Sequence, residues 1–208
     1  MSSKAYFDKV ANQWDTMRGD FFQETVRDQA IQAADVRSDH LAVDMGAGTG
    51  FVTAGLLNTG AHVIAIDQSP AMLEQMKSNF SDIETIDYRV GESEQVPVDD
   101  NSVDYVFANM YLHHVERPVV AIAEMARILK SGGKLVITDL DEHTHEWLRT
   151  EQYDRWLGFK REDVKAWFEL AGLSNISVDC TDQNCCASSQ TCNDSADVSI
   201  FLAYGEKI

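Results

Sequence analysis

Positive charge is scarce in this sequence. The 208 residues contain 17 Lys and Arg against 34 Asp and Glu, which gives a formal net charge of −17. Nucleic acids and anionic membranes attract proteins through clustered Lys and Arg, and no such cluster offsets the acidity here. We therefore expect no nucleic-acid or membrane partner. A small molecule, neutral or cationic, is the more natural partner, although the acidity would equally serve solubility in a salty cytoplasm.

Long apolar runs are also missing. No stretch approaches the roughly 20 residues that a membrane-spanning helix needs, and the first ten residues lack the apolar core of a secretory signal. These absences predict a cytoplasmic protein. With 44% hydrophobic residues, the chain is expected to form a single domain with a sizeable core. The residues indicate no particular oligomeric state.

The stretch LAVDMGAGTG at residues 41–50 is the centre of the fold prediction. Its apolar start is typical of a buried parallel strand. Gly46, Gly48 and Gly50 then allow a sharp turn and a close approach of the backbone to a ligand. Apolar helical spacing resumes directly afterwards. The pattern predicts a strand, a glycine turn and a helix at the ligand-binding edge of a parallel sheet.

A second apolar run at residues 62–67 ends in Asp67, about 20 residues after the first glycine. That spacing places a carboxylate where it can accept hydrogen bonds from both hydroxyls of a ribose. An acid at a strand end often caps the next helix instead. Here Ser69 and Pro70 already supply the cap and a first-turn proline, so Asp67 is free for a ligand.

These residues resemble the class I S-adenosylmethionine (SAM) dependent methyltransferases. The resemblance depends on Asp44 within the strand, on G-A-G-T-G followed by Phe51 where a dinucleotide site has its third glycine, and on ILKSGGKLVITD at residues 128–139. It covers about residues 6–140. It implies SAM as the cofactor and an α/β, Rossmann-like doubly wound fold. The sheet would have seven strands, mostly parallel, with an antiparallel C-terminal hairpin and an N-terminal helical cap.

The resemblance also divides the single domain, residues 1–208, into parts. Residues 1–38 would form the helical cap, with two helices, and residues 39–140 the SAM-binding core. Residues 141–160 would form a substrate lid, and residues 161–208 a helix and a terminal hairpin with a Cys-rich loop. The strands of that hairpin are expected at residues 175–181 and 198–203. Within the core, a cation followed by glycines at residues 130–133 predicts the end of a helix before the fifth strand. The pattern of residues 141–160 is similar to methyltransferases that occur fused to, or beside, metal-sensing repressors.

Cofactor contacts are implied residue by residue. Glu92 would hydrogen-bond the adenine amino group and the Ser93 amide would face the ring. The full predicted set is Asp44, Gly46, Ala47, Gly48, Gly50, Asp67, Gln68, Met72, Glu92, Ser93 and Asn109.

Histidines and aromatic residues supply the catalytic and substrate candidates. His113 and His114 follow the fourth predicted strand and could take a proton or contact the substrate, as could His145; in the family the first His of such a pair often only closes the SAM pocket. The aromatic candidates belong to the cap and the lid segment, where the alternative is simple packing on the sheet. They are Tyr6, Trp14, Trp147, Tyr153 and Trp156.

All four cysteines lie close together, at Cys180, Cys185, Cys186 and Cys192. Their spacing is not C-x2-C and no His is near, so a zinc site is weakly supported. Reduced thiols could instead bind a soft thiophile such as trivalent arsenic. Arsenite methyltransferases have a cysteine near the fourth strand, where this chain has Met110. Inert or redox-labile thiols, thiophile binding and a disulfide all stay open.

Four functions are compatible with these features. The first is methyl transfer from SAM to a small molecule, in which only an acceptor hydroxyl would need a base. The others are methylation of a metalloid such as arsenite, a non-catalytic SAM-binding or thiol-metal sensor module, and a NAD(P)-dependent oxidoreductase. Phe51 and the Gly-Glu-Ser segment at residues 91–93 count against the last.

Overall fold

The computed structural model describes residues 3–189, 191–192 and 194–208. Its strands are β1 (Leu41–Met45), β2 (His62–Asp67), β3 (Ile86–Val90), β4 (Val103–Asn109), β5 (Leu129–Leu140), β6 (Leu173–Ser188) and β7 (Ser195–Lys207). They form one seven-stranded sheet in the order β3-β2-β1-β4-β5-β7-β6. Strands β1 to β5 pair in parallel, whereas β7 is antiparallel to β5 and β6. The predicted Rossmann-like α/β sheet with an antiparallel C-terminal hairpin is confirmed.

The helices cover both faces of this sheet. They are α1 (Ser3–Val10), α2 (Trp14–Phe21), α3 (Glu24–Ala34), α4 (Phe51–Asn58), α5 (Pro70–Asn79), α6 (Pro118–Ile128), α7 (Leu148–Glu151) and α8 (Arg161–Leu170). Short 3-10 turns occur at Ala11–Gln13 and Leu112–His114. Within the described ranges, no helix combines the length and the apolarity needed to cross a bilayer.

Neighbouring residues of the central strands enter different cores, as the twofold period of a strand requires. Val43 of β1 and Val106 of β4 pack in the cluster that contains α6 residues. Their neighbours Ala42 and Tyr105 pack in the cluster formed with α3 and α4. Burial on both faces explains why these strands read as continuous apolar runs.

The N-terminal cap differs from the prediction of two helices before β1. The 3-10 turn Ala11–Gln13 divides the first predicted helix into α1 and α2, so that three helices precede the sheet. The break gives each half a different partner, because α1 packs on α5 whereas α2 packs on β6. A continuous helix could not reach both.

The junction of α6 and β5 also differs from the prediction that residues 130–133 end a helix. Helix α6 stops at Ile128, and Leu129 already has extended angles, φ −65° and ψ 139°. Leu129 pairs with Val103, and the register shifts before Tyr105. The Lys130 ammonium then binds Asp104 at 2.8 Å, which holds this early part of β5 beside β4.

The prediction of a Cys-rich loop in the terminal hairpin is wrong. Strands were expected at residues 175–181 and 198–203, but β6 continues to Ser188 and carries three of the cysteines. A register shift between Cys180 and Asn184 interrupts the ladder, and pairing resumes at Asn184 with Ser199. Of the four cysteines, Cys192 alone lies in the turn between β6 and β7.

Candidate functional site

A cavity of about 320 Å³ opens at the carboxyl ends of β1, β2 and β4. Every predicted cofactor residue except Gly50 lines it: Asp44, Gly46, Ala47, Gly48, Asp67, Gln68, Met72, Glu92, Ser93 and Asn109. Gly50 lies behind the turn with φ +101°, where an added Cβ would be 2.3 Å from the Phe80 ring. Its contribution is therefore to the shape of the turn.

The glycine turn is fixed to the neighbouring strand. The amides of Gly46 and Ala47 both donate to the Ile66 carbonyl, at 2.8 and 3.0 Å. Gly46 has φ +68°, and a Cβ on it would be 2.2 Å from Cδ2 of Tyr111. The ring of Tyr111 thus packs directly on the turn and, like the turn, lines the cavity.

Asp67 joins the end of β2 to this turn. One carboxylate oxygen accepts from the Gly48 amide at 2.9 Å and the other from the Ser69 amide at 2.8 Å. Burial raises the pKa of Asp67 to about 6 despite these hydrogen bonds. Ser69 caps α5 by accepting from the Met72 amide, as predicted, and donates to Asp8 of α1 at 2.6 Å. The cap is therefore tied to the site through Ser69.

Asp44 is buried beneath the turn. Its Oδ2 accepts from the amide of Thr53 at 2.9 Å and from the Thr53 hydroxyl at 2.7 Å, in the first turn of α4. Burial raises the pKa of Asp44 to about 6. The favourable position of a carboxylate at a helix N-terminus makes Asp44 mainly an anchor between β1 and α4.

Helix α2 covers the cavity and supplies a cation. Asp15 accepts a hydrogen bond from the Thr49 hydroxyl at 2.5 Å, which holds α2 over the turn. Arg18 lines the cavity, with its guanidinium carbon 4.2 Å from the centre of the Phe51 ring. Its Nε is buried and has no hydrogen-bond partner among the described residues. Burial lowers the pKa of Arg18.

Sequence reasoning missed Arg18 and Tyr111. Arg18 lies one helical turn after Trp14, the predicted cap residue, so the helical period could have identified it. Tyr111 lies two residues after Asn109, a predicted cofactor residue, and this closeness in the chain could have identified it as a further site residue. The packing of its ring on Gly46 depends on the left-handed φ of Met110, for which the sequence gives no signal.

A second, smaller cavity of about 60 Å³ adjoins the first. The two share four residues: Phe7, Trp14, Met110 and His114. The remaining lining comes from the cap, the lid segment, the β6–β7 hairpin and the ends of β4 and β5, and it is mostly apolar. It comprises Tyr6, Phe21, His113, Leu140, Leu148, Gln152, Asp154, Cys185, Ala187, Ala196 and Val198.

His113 is buried between two carboxylates. Its Nδ1 lies 2.6 Å from Oδ1 of Asp139, and its Nε2 lies 3.8 Å from Oδ1 of Asp154. Asp139 is itself fixed, because it accepts from the amides of Leu112 and Leu140 at 2.7 and 2.8 Å. Burial lowers the pKa of His113, but the two negative charges outweigh burial and raise it to about 9.

His114 borders both cavities and differs from its neighbour in charge. Burial and the charge of His113 lower the pKa of His114 well below its usual value, which makes this imidazole neutral. Its Nδ1 lies 3.9 Å from Asp154 Oδ1 and 3.4 Å from the Tyr153 carbonyl. Burial raises the pKa of Asp154 to about 6, with the charge of His113 opposing the shift.

Of the other candidates, Tyr6 and Trp14 line the smaller cavity, whereas the structure brings the remaining four to neither cavity. His145 faces His143, with ring centres 5.5 Å apart. Trp147 packs against the core under the hairpin. Tyr153 packs on Tyr6 at 4.9 Å, and Trp156 is 41% exposed, with Nε1 donating to a backbone carbonyl. Residues 141–160 instead reach the smaller cavity through Leu148, Gln152 and Asp154.

The four thiols do not converge. All are free, and Cys180, Cys186 and Cys192 are exposed. Cys185 alone among them lines the smaller cavity, where burial and the neighbouring carboxylate Asp154 raise its pKa to about 12.

Comparisons with known proteins agree with this geometry. Residues 43–137 match the methyltransferase domain family. The biotin biosynthesis bifunctional protein of Cellvibrio japonicus is 31% identical over 180 residues, 82% of this chain and 35% of that protein. The demethylmenaquinone methyltransferase of Clavibacter sepedonicus is 31% identical over 140 residues, 65% of this chain and 56% of that protein. The chain thus spans between about a third and somewhat over half of these relatives.

Solved structures share the fold over nearly the whole chain. The protein solved in complex with the Trm112 methyltransferase activator of Haloferax volcanii has a TM-score of 0.79 at 22% identity, covering 96% of both chains. A SAM-dependent methyltransferase from Aquifex aeolicus has a TM-score of 0.70 at 18% identity, covering 97% of this chain and 98% of that one.

Proposed function

Residues 43–137 of this chain belong to a class I SAM-dependent methyltransferase domain, and we propose that the protein transfers a methyl group from SAM to a small-molecule acceptor. The observation that carries the proposal is the pair of adjoining cavities. Phe7, Trp14, Met110 and His114 border both, so that a cofactor in one and an acceptor in the other would meet at a common boundary.

The residues of the larger cavity fit SAM. The turn at Gly46 has no room for a Cβ, Asp67 offers carboxylate lone pairs, and Arg18 has a buried unpaired donor. Asp67 would accept hydrogen bonds from the ribose hydroxyls, as the acid does in comparable nucleotide sites. Glu92 and Ser93 would contact the adenine, and Arg18 would pair with the carboxylate of the methionine moiety. When bound, SAM supplies an electrophilic methyl group on a sulfonium.

The smaller cavity would hold the accepting group. Its volume of about 60 Å³ suits one small functional group or ring edge, with the rest of the acceptor outside. Its apolar walls exclude water, and fixing two reactants in a near-attack arrangement can supply about 7–11 kcal/mol of the barrier. Cap residues 1–38 and lid residues 141–160 would cover both cavities. The core at 39–140 and the terminal segment at 161–208 complete the single domain.

The polar end of the smaller cavity fixes the acceptor heteroatom. His113, His114 and Asp154 lie there, whereas the other walls are mostly apolar. A few polar groups in an apolar pocket are what orient a small ligand. An acceptor hydroxyl would lose its proton to this group of side chains. His145 lines neither cavity, so we assign it no role in the reaction.

The alternatives differ in what they require of these cavities. The match of residues 43–137 to the methyltransferase domain family counts against the function of a nicotinamide-dependent oxidoreductase. Arsenite methylation is disfavoured because only Cys185 reaches the acceptor cavity. A SAM-binding sensor would use the larger cavity without transfer. The association with metal-sensing repressors, the cytoplasmic location and the lack of a nucleic-acid partner remain predictions.

Transfer of labelled methyl from SAM is the direct test. The reduced protein would be supplied with a small-metabolite extract and, separately, with arsenite plus thiol, with D67A as the cofactor-site control. We expect label in the metabolite pool. Label in the arsenite pool alone would favour the metalloid alternative, and binding of S-adenosylhomocysteine without transfer to either pool would favour the sensor.

A second variant separates the two cavities. Ala196 is buried in the wall of the smaller cavity and does not line the larger one. A196L should fill the smaller cavity, abolish transfer and leave the affinity for S-adenosylhomocysteine within about twofold. S195L, at the exposed neighbouring position, is the matched control. Unchanged transfer by A196L would contradict the placement of the acceptor.

A further inference from the structure

Three side chains meet at the end of the smaller cavity, where the rings of His113 and His114 pack with their centres 4.1 Å apart and neither forms a hydrogen bond with Asp154. The Nε2 atom of His113 and the Nδ1 atom of His114 lie 3.8 and 3.9 Å from the same oxygen, Oδ1 of Asp154. His113 is 5% exposed and Asp154 is 6% exposed. These distances exceed those of hydrogen bonds. Two imidazole nitrogens therefore lie around one buried carboxylate oxygen with a gap between them. His114 Nδ1 is also 3.4 Å from the Tyr153 carbonyl, a contact that a bound ion would replace.

The carboxylate of Asp154 has no hydrogen-bond donor within reach in the described part of the chain. Burying an ionised group without a hydrogen-bonded partner is costly. Asp154 is held there by a tight local turn, in which Tyr153 has φ +62° and the Asp154 amide donates to the Leu148 carbonyl. The protonated His113 faces this carboxylate at 3.8 Å without a hydrogen bond, and a metal ion between the three side chains would take the place of that proton.

The spacing of the three groups is that of an open metal site. One ligand atom from each lies within 4.8 Å of the other two. Zinc binds imidazole nitrogen and carboxylate oxygen at roughly 2.0–2.2 Å, which places two tetrahedral ligands about 3.4 Å apart. The separations of 3.8 and 3.9 Å need only a small inward movement. We propose that His113, His114 and Asp154 bind one divalent transition-metal ion of the zinc class.

Asp139 supports this assignment as a positioning residue. A metal-bound histidine usually donates its other ring N–H to a carboxylate, which fixes the ring and its tautomer. His113 makes this contact through Nδ1 to Asp139 at 2.6 Å, so that Nε2 faces the cavity. Asp139 is fully buried and is held by backbone amides, so it fixes the orientation of His113 rather than joining the cavity.

Two imidazoles and one carboxylate leave at least one coordination position open, the arrangement of catalytic rather than structural zinc sites. The open position faces the smaller cavity, because all three ligands line it. An ion there would bind an acceptor oxygen or nitrogen and lower its pKa. This consequence depends on the proposed function, whereas the ion site itself does not. His114 would then act as a ligand and not as a base.

Cobalt binding tests the site directly. The full chain, stripped of metal with a chelator and reduced, would be titrated with Co²⁺ and followed by visible ligand-field absorption. We expect one Co²⁺ per chain, displaced by Zn²⁺. D154A and H114A should each weaken binding by at least about 100-fold, and D139N by about 10- to 100-fold through the positioning of His113. H145A is the matched control and should bind like the wild type, because His145 belongs to the separate His143–His145 pair.

Two results would overturn the proposal. One is the absence of Co²⁺ and Zn²⁺ binding by wild-type protein that circular dichroism shows to be folded, which would leave the three side chains as a buried ion-pair group. The other is binding that survives in folded D154A and H114A. Because binding is measured without methyl transfer, failure of the metal site and failure of the proposed function are distinguishable.

Discussion

The carboxylate of Asp67 accepts a hydrogen bond from the Gly48 amide at 2.9 Å. The acid at the end of β2 and the glycine turn after β1 are thereby joined, because these two strands are parallel neighbours in the sheet. The same carboxylate faces the larger cavity. Asp67 thus shapes the turn and offers the lone pairs that a ribose would use, and both roles can be tested.

Replacing Asp67 should remove cofactor binding. Hydrogen bonds to a charged group contribute about 1.5–3 kcal/mol each, so loss of two should raise the Kd for S-adenosylhomocysteine roughly 100-fold or more in D67A. Calorimetric titration would measure it. D87A is the matched control, because Asp87 is an exposed acid on the adjacent strand, paired with Arg89. Similar losses in both variants would contradict the ribose assignment.

Binding should also depend on pH through Asp67. Burial raises its pKa to about 6, and the ionised carboxylate accepts stronger hydrogen bonds from the ribose hydroxyls than the protonated form does. The affinity for S-adenosylhomocysteine should therefore be constant above that pH and fall, by up to about tenfold per pH unit, below it. Titrations between pH 4.5 and about 8 would show this. D67N should bind more weakly and lose this component of the slope, and an identical slope in D67N and wild type would refute the attribution.

Gly46 should tolerate a methyl group far less well than Gly132. Both have a left-handed backbone, φ +68° and φ +77°, but an added Cβ meets Tyr111 at 2.2 Å in the first case and nothing within 4 Å in the second. The left-handed strain alone costs about 1–2 kcal/mol, which is the effect expected of G132A. G46A should lose a further 1–3 kcal/mol or so from overpacking.

Urea unfolding would measure the stability of both variants, and S-adenosylhomocysteine titration the effect on the site. Adding Y111A to G46A should recover part of the loss, because it removes the atoms in conflict. Equal destabilisation by G46A and G132A would show that Tyr111 moves aside without cost.

Arg18 should recognise the amino-acid end of the cofactor. R18M is expected to weaken S-adenosylhomocysteine binding by at least about tenfold, the effect of one charge-assisted hydrogen bond. Binding of 5′-methylthioadenosine, which lacks the carboxylate, should be unchanged. R155M is the control, because Arg155 also lines the cavity but lies near Glu116, at 4.0 Å. An equal loss for both ligands would place Arg18 elsewhere in the site.

The sequence by itself determined the parts whose signals are local. The strand, glycine turn and helix at residues 41–58, and the Ser69-Pro70 cap, each depend on residues a few positions apart, and the structure contains them where predicted. A helix cap is visible in the chain because its cause is a neighbouring backbone amide, and a strand buried on both faces is visible as a short continuous apolar run. The same locality explains why the predicted cofactor residues, apart from Gly50, line one cavity.

Only the tertiary structure decided which side chains meet across the chain. The length of β6 and β7 depends on cross-strand pairing, so the cysteine segment could look like a loop in sequence and form a strand in the fold. The aromatic residues of 141–160 were distinctive, yet Asp154 is the residue that reaches His113 and His114. Such contacts join segments some 40 residues apart through packing and buried charge, and no local period records them.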